Sequence, residues 1–339
     1  MNKYIISIRS KKKPDDITQG GAATKAPKDI LYLAIQQGYI EIPIYTYTSY
    51  NNLHRTFVLI LQLLKAAFRI EKNSIVLFQY PEIHPFIYPI ILPFFKKFKT
   101  IAIIHDINSL REKGYLNKLE NYNFSSFNEI IVHSTQMKHI LEERNNYSNF
   151  HILNYFPYLA KEETNHRTLG HEICFAGNIY KSPSIIQYFN KIKECKLLLY
   201  IKLRPNLILN ERTIYKGLFD PDHIENIEGN WGLIWDSNDL NDCTGNLGEY
   251  TKFNAPHKLS LYSVAHLPII AWDKSAIAHI IKEKNIGFTI SSLLEIEDKI
   301  NSITPSQYNT FMQNICKFSN EVTSGNNFIS ILKSIESKS

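Results

Sequence analysis

Short apolar runs alternate with amphipathic stretches along the chain, and this alternation predicts strands and helices in turn. In the first half, the predicted strands are residues 4–8, 42–45, 74–78, 100–104 and 129–132. Apolar residues at three- and four-residue spacing predict helices at residues 25–37, 53–68 and 136–143, with a proline-interrupted helix at 86–95. Because continuous apolar strands separated by helices are typical of a covered parallel sheet, the first half is predicted to be a Rossmann-like domain.

A polar, charged stretch at residues 156–171 interrupts this pattern and is predicted to be a linker. A second series of predicted strands follows at residues 172–176, 197–201, 232–235, 268–271 and 287–290, and residues 306–333 are predicted to be helical. The sequence therefore predicts an α/β fold in three parts, residues 1–156, 157–318 and 319–339. We expect the two domains to face each other across a cleft, with the last helix packing back onto the first domain, and ligands at the carboxyl ends of the strands.

Composition and charge narrow the function classes. The 339 residues are 44% hydrophobic and 21% charged, which is typical of a globular protein with room for two cores. A net charge of +6 favours anionic partners such as phosphates. Since the basic residues are neither clustered nor interleaved with aromatic residues on one element, nucleic acid is not an expected partner.

The four cysteines lie far apart and form no Cys-x-x-Cys or Cys/His pattern. Their spacing argues against structural zinc and a disulfide framework, and it indicates a reducing compartment. The N-terminus turns basic after a short apolar patch, the reverse of a signal peptide, and the apolar stretch at residues 86–95 is too short to span a bilayer. A cytoplasmic protein is expected.

The most informative stretch is residues 231–272. It contains Trp-Gly-Leu-Ile-Trp-Asp at 231–236, Gly-Glu-Tyr-Thr-Lys-Phe-Asn-Ala-Pro-His-Lys-Leu-Ser-Leu-Tyr at 248–262, and Leu-Pro-Ile-Ile-Ala-Trp at 267–272. The first and third pieces are predicted strands, and the second contains a polar loop followed by a helix.

That helix is predicted to open at Pro256, with Asn254 or Ala255 at its N-cap, because proline suits the first helical turn. Helix N-termini carry free N–H groups and the positive end of the helix dipole, which suit a diphosphate. Lys258 either adds a positive charge to this site or is an ordinary solvated helix lysine. Spacing alone favours neither interpretation.

The segment resembles the β-1,6-galactofuranosyltransferases of bacterial O-antigen gene clusters. It is more distantly similar to the glucosyltransferase that extends glycans on streptococcal serine-rich adhesins. Further matches are Phe-Ala-Gly-Asn at residues 175–178, Ile-His-Asp-Ile at 104–107 with Leu-Arg at 110–111, and Lys-Ala at 25–26 with Asp29. The resemblance therefore touches both predicted domains.

The resemblance implies a GT-B fold that binds a UDP-sugar in the C-terminal domain, with no metal or other cofactor. Lys258 would hold the diphosphate, with Asn254 and His257 beside it. Gly177 and Asn178, at the end of a strand, would let the backbone approach the nucleotide.

Four further positions are assigned to the donor with less detail. Asp236 and Tyr250 stand in the matching segments. Lys181 is the nearest basic residue to a position where the family often has one. Phe219 occupies the place of an aromatic residue that stacks on uracil, but it lacks the hydroxyl of the tyrosine expected there.

The loop at residues 19–25 reads Gln-Gly-Gly-Ala-Ala-Thr-Lys. It matches neither the Walker loop nor Gly-x-Gly-x-x-Gly, so a dinucleotide site is disfavoured. In a GT-B protein its small residues would admit the donor, with Thr24 as a hydrogen-bond donor. An ordinary turn explains it equally well.

His105 and Asp106 directly follow a predicted strand, so both are expected at a carboxyl edge. If a β-linkage is made from an α-linked UDP-sugar, the reaction is one inverting displacement, and a base must take the proton of the acceptor hydroxyl. Asp106 or His105 is the best-placed base, with Arg111 as a partner. The alternatives are a capping Asp with a backbone-bonded His, or a pair that only orients the acceptor.

Two motifs are better explained by local structure. Asp220-Pro-Asp222 matches the metal-binding Asp-x-Asp pattern, yet its proline before a short helix favours capping. His133-Ser134 lacks the neighbours of a nucleophile, and Ser134 is predicted to be a helix N-cap.

Residues 86–99 join an apolar, aromatic helix to a basic end. Because acceptors in such pathways are usually lipid-linked glycans, this patch is a candidate for peripheral contact with the inner face of the cell membrane. The alternatives are a core helix with a solvated basic end, or an interface of a homo-oligomer.

The sequence thus predicts an inverting, UDP-sugar-dependent glycosyltransferase of cell-surface polysaccharide assembly, with galactofuranose as the leading donor. One alternative is a UDP-glucose or UDP-galactopyranose transferase on the same scaffold. An alternative of another class is a non-catalytic subunit that binds a glycan or a nucleotide sugar.

Overall fold

A computed structural model describes residues 1–11, 22–47, 51–112, 116–144, 149–160, 167–202 and 208–338. The chain divides into two compact units. The N-terminal unit comprises residues 1–19, 27–153 and 328–339, and the C-terminal unit comprises residues 20–26 and 154–327. Residues 19–21 of the loop predicted to admit the donor, and residues 161–166 of the predicted linker, lie outside the described residues.

Each unit is built on a sheet of six parallel strands. The strands of the N-terminal unit are β1 (Lys3–Lys11), β2 (Ile40–Tyr47), β3 (Ile75–Tyr80), β4 (Lys99–Ile104), β5 (Glu129–Val132) and β6 (Phe150–Ile152), in the order β2-β1-β3-β4-β5-β6. Those of the C-terminal unit are β7 (Glu172–Ala176), β8 (Lys196–Tyr200), β9 (Thr213–Gly217), β10 (Trp231–Ile234), β11 (Ile269–Trp272) and β12 (Gly287–Ile290), in the order β12-β11-β10-β7-β8-β9.

Helices connect the strands. They are α1 (Ala22–Gln36), α2 (Asn52–Arg69), α3 (Tyr88–Phe95), α4 (Asn108–Arg111), α5 (Leu116–Ser125), α6 (Thr135–Arg144), α7 (Ser184–Phe189), α8 (Gly245–Tyr250), α9 (His257–Val264), α10 (Ala278–Lys284), α11 (Ile296–Ser302), α12 (Pro305–Ser324) and α13 (Asn326–Glu336). In the C-terminal unit, two buried apolar clusters form the core, one containing Tyr262 and the other Trp231. The predicted architecture of two Rossmann-like domains is confirmed.

The predicted C-terminal helix is two helices, because the chain turns at Gly325 in the left-handed region with φ of 62°. The second of them, α13, belongs to the N-terminal unit over residues 328–336, as predicted for the end of the chain. Lys3 Nζ lies 3.1 Å from Glu336 Oε2, and Lys99 Nζ donates to the Ile335 carbonyl at 2.9 Å. These contacts fix the last helix beside β1 and β4.

Candidate active site

The candidate donor site lies at the carboxyl ends of β7 and β10 and at the start of α9. Gly177 follows β7 with φ of 152°, a conformation that side chains rarely adopt. A Cβ built on Gly177 would lie 2.8 Å from Lys258 Cε. The lysine side chain therefore crosses directly over the backbone of this glycine, and a Cβ at position 177 would force it to move.

Lys258 reaches this position because of its neighbours. Its Nζ is 2.8 Å from Asp236 Oδ1 and 4.4 Å from the centroid of the Phe175 ring. The Lys258 and Asp236 side chains are only 15% and 14% exposed. The structure thus brings together three residues predicted for the donor, and it holds a cation where the strand ends meet the helix.

The predicted cap of α9 is wrong. The helix begins at His257 and its N-cap is Pro256, in an extended conformation and without a side-chain cap hydrogen bond, so neither Asn254 nor Ala255 is the capping residue. A proline side chain has no hydrogen-bonding atom, and in the first turn the Leu259 N–H donates to the Pro256 carbonyl at 2.9 Å. The positive end of the helix dipole at this terminus favours an anion. Asn254 Oδ1 is buried, and it has no hydrogen-bond partner among the described residues.

His257 lies beside Lys258 in sequence but contacts a different segment. Its ring stacks on Tyr158 with a centroid distance of 4.9 Å, and it hydrogen-bonds to the Pro157 backbone. Burial, and then the charge of Lys25, lower the pKa of His257 to about 4. The imidazole is therefore neutral at physiological pH, and of the two residues Lys258 alone supplies positive charge for a phosphate.

Residues 231–272, which contain the donor motif, also have a packing role that the sequence did not reveal. The Tyr262 hydroxyl accepts from the Ala176 N–H at 2.9 Å and donates to the Leu233 carbonyl at 3.2 Å. A Cβ at Gly232 would lie 2.4 Å from Tyr262 Cγ. Tyr262 therefore ties β7 to β10 directly before the donor-site turn.

The tryptophans of the segment are buried in the core. These are Trp231, Trp235 and Trp272. Two of their indole N–H groups bond to backbone carbonyls, that of Trp231 to Gly170 and that of Trp235 to Asp239. Much of the motif therefore builds the scaffold rather than the ligand surface.

The other predicted donor residues lie at several places. Asn178 accepts from the Tyr180 N–H at 3.1 Å, which caps the short 3-10 helix that ends at Lys181. Tyr250 is 3% exposed. Phe219 follows β9, two strands away from β7, and packs on Tyr200. Thr24 is exposed near the start of α1.

Sequence reasoning missed the contacts of Lys25, which belongs to the C-terminal unit. Its Nζ donates to the Leu159 carbonyl at 2.5 Å and lies 2.8 Å from Asp222 Oδ1. The ammonium is also 5.2 Å from the centroid of the Tyr158 ring. The sequence pattern gives no sign of these contacts, because Lys25 lies 134 residues before Leu159 and 197 residues before Asp222.

The Asp220-Pro-Asp222 segment forms a turn, and its predicted capping role is wrong, because the N-cap of the short 3-10 helix that follows (Ile224–Asn226) is His223, without a side-chain cap hydrogen bond. Asp220 Oδ1 accepts from the Asp222 N–H at 2.9 Å, and the His223 N–H donates to the Asp220 carbonyl. Across the described ranges, no group of three His, Cys, Asp or Glu side chains is placed to hold a metal ion.

In the N-terminal unit, His105 and Asp106 follow β4 as predicted. His105 Nε2 is 2.9 Å from Gln79 Oε1, while Gln79 Nε2 donates to the Pro27 carbonyl. Asp106 Oδ2 lies 2.7 Å from Arg111 Nη1, so Arg111 is the partner of the carboxylate. Since the N-cap of α4 is Ile107, Asp106 is not a capping residue.

His133 and Ser134 have structural roles. Ser134 Oγ accepts from the Met137 N–H at 3.0 Å, which confirms it as the N-cap of α6. The buried His133 bonds through Nε2 to the Ile104 carbonyl at 2.9 Å. Burial lowers the pKa of His133 to about 4, and the ring is therefore neutral.

Two family models match the chain, one in each half. A model of the N-terminal domain of glucosyltransferase 3-like proteins matches residues 3–154, and a model of their C-terminal domain matches residues 173–335. Together the two models span nearly all of the described chain.

Two characterised relatives match over most of their length. The β-1,6-galactofuranosyltransferase WbbI of Escherichia coli K12 is 28% identical over 323 residues, which are 93% of this chain and 94% of the relative. Glucosyltransferase 3 of Streptococcus gordonii is 22% identical over 315 residues, which are 87% of this chain and 88% of the relative.

Solved structures share the fold at low identity. Anabaena HepE, solved in complex with UDP, has a TM-score of 0.66 and 10% identity, with 98% of this chain and all of that chain covered. The fold is therefore that of the GT-B glycosyltransferases. Among the described residues, no helix has the length and apolar character needed to cross a bilayer.

Proposed function

The chain belongs to the glucosyltransferase 3-like family of GT-B glycosyltransferases, and on that premise we propose that it transfers a hexosyl group from a UDP-sugar to a glycan in cell-surface polysaccharide assembly. The observation that carries the proposal is the placement of Lys258 over Gly177 at the start of α9. A cation, a helix N-terminus and a closely approachable backbone together suit a diphosphate.

Galactofuranose is the proposed donor sugar. It is supported by the Escherichia coli relative, which matches over 93% of this chain and is named for that activity. Glucose is the alternative, because the Streptococcus gordonii relative is named as a glucosyltransferase. A non-catalytic binding subunit is disfavoured because such a protein would not need both the Lys258 site and the anchored His105–Asp106 pair.

In the proposed reaction, an acceptor hydroxyl oxygen attacks the anomeric carbon as the bond to UDP breaks, with inversion. The leaving diphosphate takes the bonding electrons, and Lys258 with the first turn of α9 stabilises its charge. Asp236 holds the ammonium in place before the donor arrives. The scheme uses no metal ion, since Lys258 supplies the charge that a metal would otherwise provide.

The other predicted donor contacts remain part of the proposal. Asn254 and Asn178 would donate or accept hydrogen bonds to the nucleotide, and the neutral His257 would accept one from a hydroxyl rather than bind a phosphate. Lys181 lies in the turn after Gly177 and would add charge beside the diphosphate. On the acceptor side, His105 and Asp106 would bind the attacking hydroxyl.

A donor screen tests the reaction. Purified protein is incubated with UDP-galactofuranose, UDP-galactose or UDP-glucose together with candidate acceptor glycans, and released UDP is measured. We expect release with UDP-galactofuranose to exceed release with the other donors by at least about 100-fold, the discrimination that hydrogen bonds to sugar hydroxyls can supply. Turnover with UDP-glucose and none with UDP-galactofuranose would assign the other donor.

Helices α2 and α3 of the N-terminal unit, with the short 3-10 helix Pro85–Ile87 that precedes α3, expose an apolar surface, here called the α2–α3 surface. Its apolar members are between 43% and 85% exposed: Leu53, Phe57, Leu61, Phe68, Phe86, Ile90 and Phe94. Most are spaced by four residues and so line one face of each helix. Phe68 and Phe94 contact each other with a centroid distance of 6.2 Å, which joins the two faces.

Basic side chains flank this surface. Lys65, Arg69, Lys96 and Lys97 are exposed, and Lys97 Nζ lies 5.6 Å from the Phe68 ring centroid. Neither α2 nor α3 contains an acidic residue. Apolar side chains with a basic border are suited to the interface of an anionic bilayer, and we propose that this surface makes the peripheral membrane contact that presents lipid-linked acceptors.

Vesicle sedimentation tests the membrane contact. The protein is expected to bind phosphatidylglycerol-containing vesicles and not pure phosphatidylcholine. Lys96→Ala/Lys97→Ala should weaken binding about 30-fold, at about 1 kcal/mol for each basic residue, and Phe57→Ser/Phe68→Ser should weaken it further. Leu294→Ser, at an exposed apolar residue of the C-terminal unit, is the control. Unchanged binding by both double variants, or a dimer that Phe57→Ser/Phe68→Ser dissociates, would assign this surface to another role.

A further inference from the structure

The order of strands in the N-terminal sheet defines a second candidate site. The chain passes from β1 to β2 on one side and from β3 to β4 on the other, so the connections diverge between β1 and β3. In open α/β sheets, ligands bind at the carboxyl ends of the strands at such a point. We therefore expect a ligand to bind at the carboxyl ends of β1 and β3.

The two strands separate at that end. They pair only from Lys3 to Ile5 on β1, opposite Ile75 to Leu77 on β3, although β1 continues to pair with β2 as far as Lys11. The edge of β1 beyond Ile5 is therefore open toward β3. A side chain from the end of β3 fills part of this opening.

That side chain is Glu82. Its Oε2 accepts from the Ile8 N–H of β1 at 3.3 Å, and its own N–H donates to the Gln79 carbonyl at 3.0 Å. The buried Tyr88 hydroxyl donates to the same carbonyl at 3.4 Å and supports the turn. Backbone atoms of both strands thus place a carboxyl group at the point where the sheet divides.

The surroundings of Glu82 favour its protonated form. Burial raises the pKa of Glu82 to about 8, and the Ile8 N–H opposes the shift only in part. No ion pair of the described residues includes Glu82. Charged residues on and after the adjacent strands form ion pairs with each other, Arg9 with Glu41 and Asp106 with Arg111.

A carboxyl group that exchanges a proton near neutral pH, at a ligand-binding edge, has the properties of a general base. Asp106, in contrast, already uses one oxygen to bind the Arg111 guanidinium. The two carboxylates follow the neighbouring strands β3 and β4. Their environments assign them different roles.

We propose that Glu82 is the base that takes the proton of the attacking acceptor hydroxyl, while Asp106 and His105 orient the acceptor. This inference rests on the proposed glycosyltransferase function. In the step, the O–H proton moves to the Glu82 carboxylate, and the oxygen lone pair forms the bond to the anomeric carbon. The bond to UDP breaks with its electrons on the diphosphate, and Glu82 later releases the proton to solvent.

Glu82→Gln tests the assignment, because glutamine keeps the shape and removes the base. We expect kcat to fall about 100-fold, with KM for the UDP-sugar and thermal stabilisation by UDP unchanged. The wild-type rate should rise with pH to an apparent pKa near 8, and this limb should be absent from the variant. Asp106→Asn should lower the rate but keep the limb, and Glu71→Gln, an exposed carboxylate of the same unit, should match the wild type.

A stability measurement checks the carboxyl group without turnover. Glu82 has a pKa of about 8 in the folded protein, above its ordinary value of 4.5. The folded state therefore binds more protons than the unfolded state between these pH values, and the stability of the wild-type protein falls as pH rises through this range. The Tm of Glu82→Gln relative to the wild type should therefore increase from pH 5 to pH 8. A difference that is constant with pH, or a variant with wild-type kcat, would overturn the proposal for Glu82.

Failure of the proposed function gives a different result. If the wild-type protein shows neither turnover nor stabilisation with any UDP-sugar, the glycosyltransferase reaction is wrong, and the role of Glu82 in it falls at the same time. If the wild type is active and Glu82→Gln is equally active, only the assignment of the base is wrong.

Discussion

UDP is expected to raise the melting temperature of the wild-type protein and to have no measurable effect on Lys258→Ala. A ligand at 100 times its Kd stabilises the folded state by about 2.7 kcal/mol, which is readily measured as a shift in Tm. Lys258 is the charged residue placed over Gly177 at the start of α9, so its removal takes away the ammonium that is proposed to hold the diphosphate. Turnover should fall about 1,000-fold, because the same charge stabilises the leaving group.

Lys258→Ala also destabilises the unliganded protein, and this loss of stability must be measured separately from the loss of UDP binding. Without Lys258, the carboxylate of Asp236 is left largely buried and without its ion-pair partner, which destabilises the fold by about 1–3 kcal/mol. The double variant Lys258→Ala/Asp236→Asn removes that charge as well. It should recover most of the lost Tm but none of the response to UDP.

Lys317→Ala is the matched control, because Lys317 is an exposed lysine of the same unit, on α12. It should respond to UDP as the wild type does. An undiminished UDP shift in Lys258→Ala, measured against the Tm of that variant alone, would remove Lys258 from the donor site.

Elements whose sequence pattern is local could be predicted closely. Buried apolar strands such as residues 129–132 and 172–176 begin and end where the pattern predicts. The strands that the pattern missed are β6 and β9, which lie at the edges of their sheets. Except for the buried Thr213, their residues are half-buried or exposed and so give no continuous apolar signal.

Some residues of the candidate sites could also be predicted from the sequence, and others could not. Lys258, Asp236 and Gly177 could be selected because they stand in segments that match a known family, but their mutual contacts depend on the pairing of β7 with β10. Glu82 could not be selected from the sequence. It follows Pro81 and resembles an ordinary loop residue, and only the strand order places it beside Ile8.

His257 shows that adjacency in sequence does not predict a shared role. Its position next to Lys258 made it a candidate for the same ligand group, whereas its ring lies against Tyr158 and is held neutral by burial. Sequence neighbours on a helix point in different directions, since each residue turns by about 100°. The tertiary contacts therefore decide which of the two residues supplies positive charge.

Gly232→Ala is expected to cause a large loss of stability. The added Cβ would lie 2.4 Å from Tyr262 Cγ and 2.5 Å from its Cδ2, far inside van der Waals contact. The ring has little freedom to move, because it is fully buried and its hydroxyl bonds to both Ala176 and Leu233. Urea unfolding should show a loss of about 3 kcal/mol or more in the free energy of unfolding.

A double-mutant cycle identifies the cause of this loss. Tyr262→Ala is itself destabilising, by about 3–5 kcal/mol, because it removes a buried aromatic ring. In that background, Gly232→Ala should cost less than about 1 kcal/mol, since the atoms that it would meet are gone. Equal costs in the two backgrounds would show that the clash with Tyr262 is not the reason for glycine at this position. Because Tyr262 also fixes Ala176, directly before Gly177, Gly232→Ala should weaken the UDP response even at temperatures where the protein stays folded.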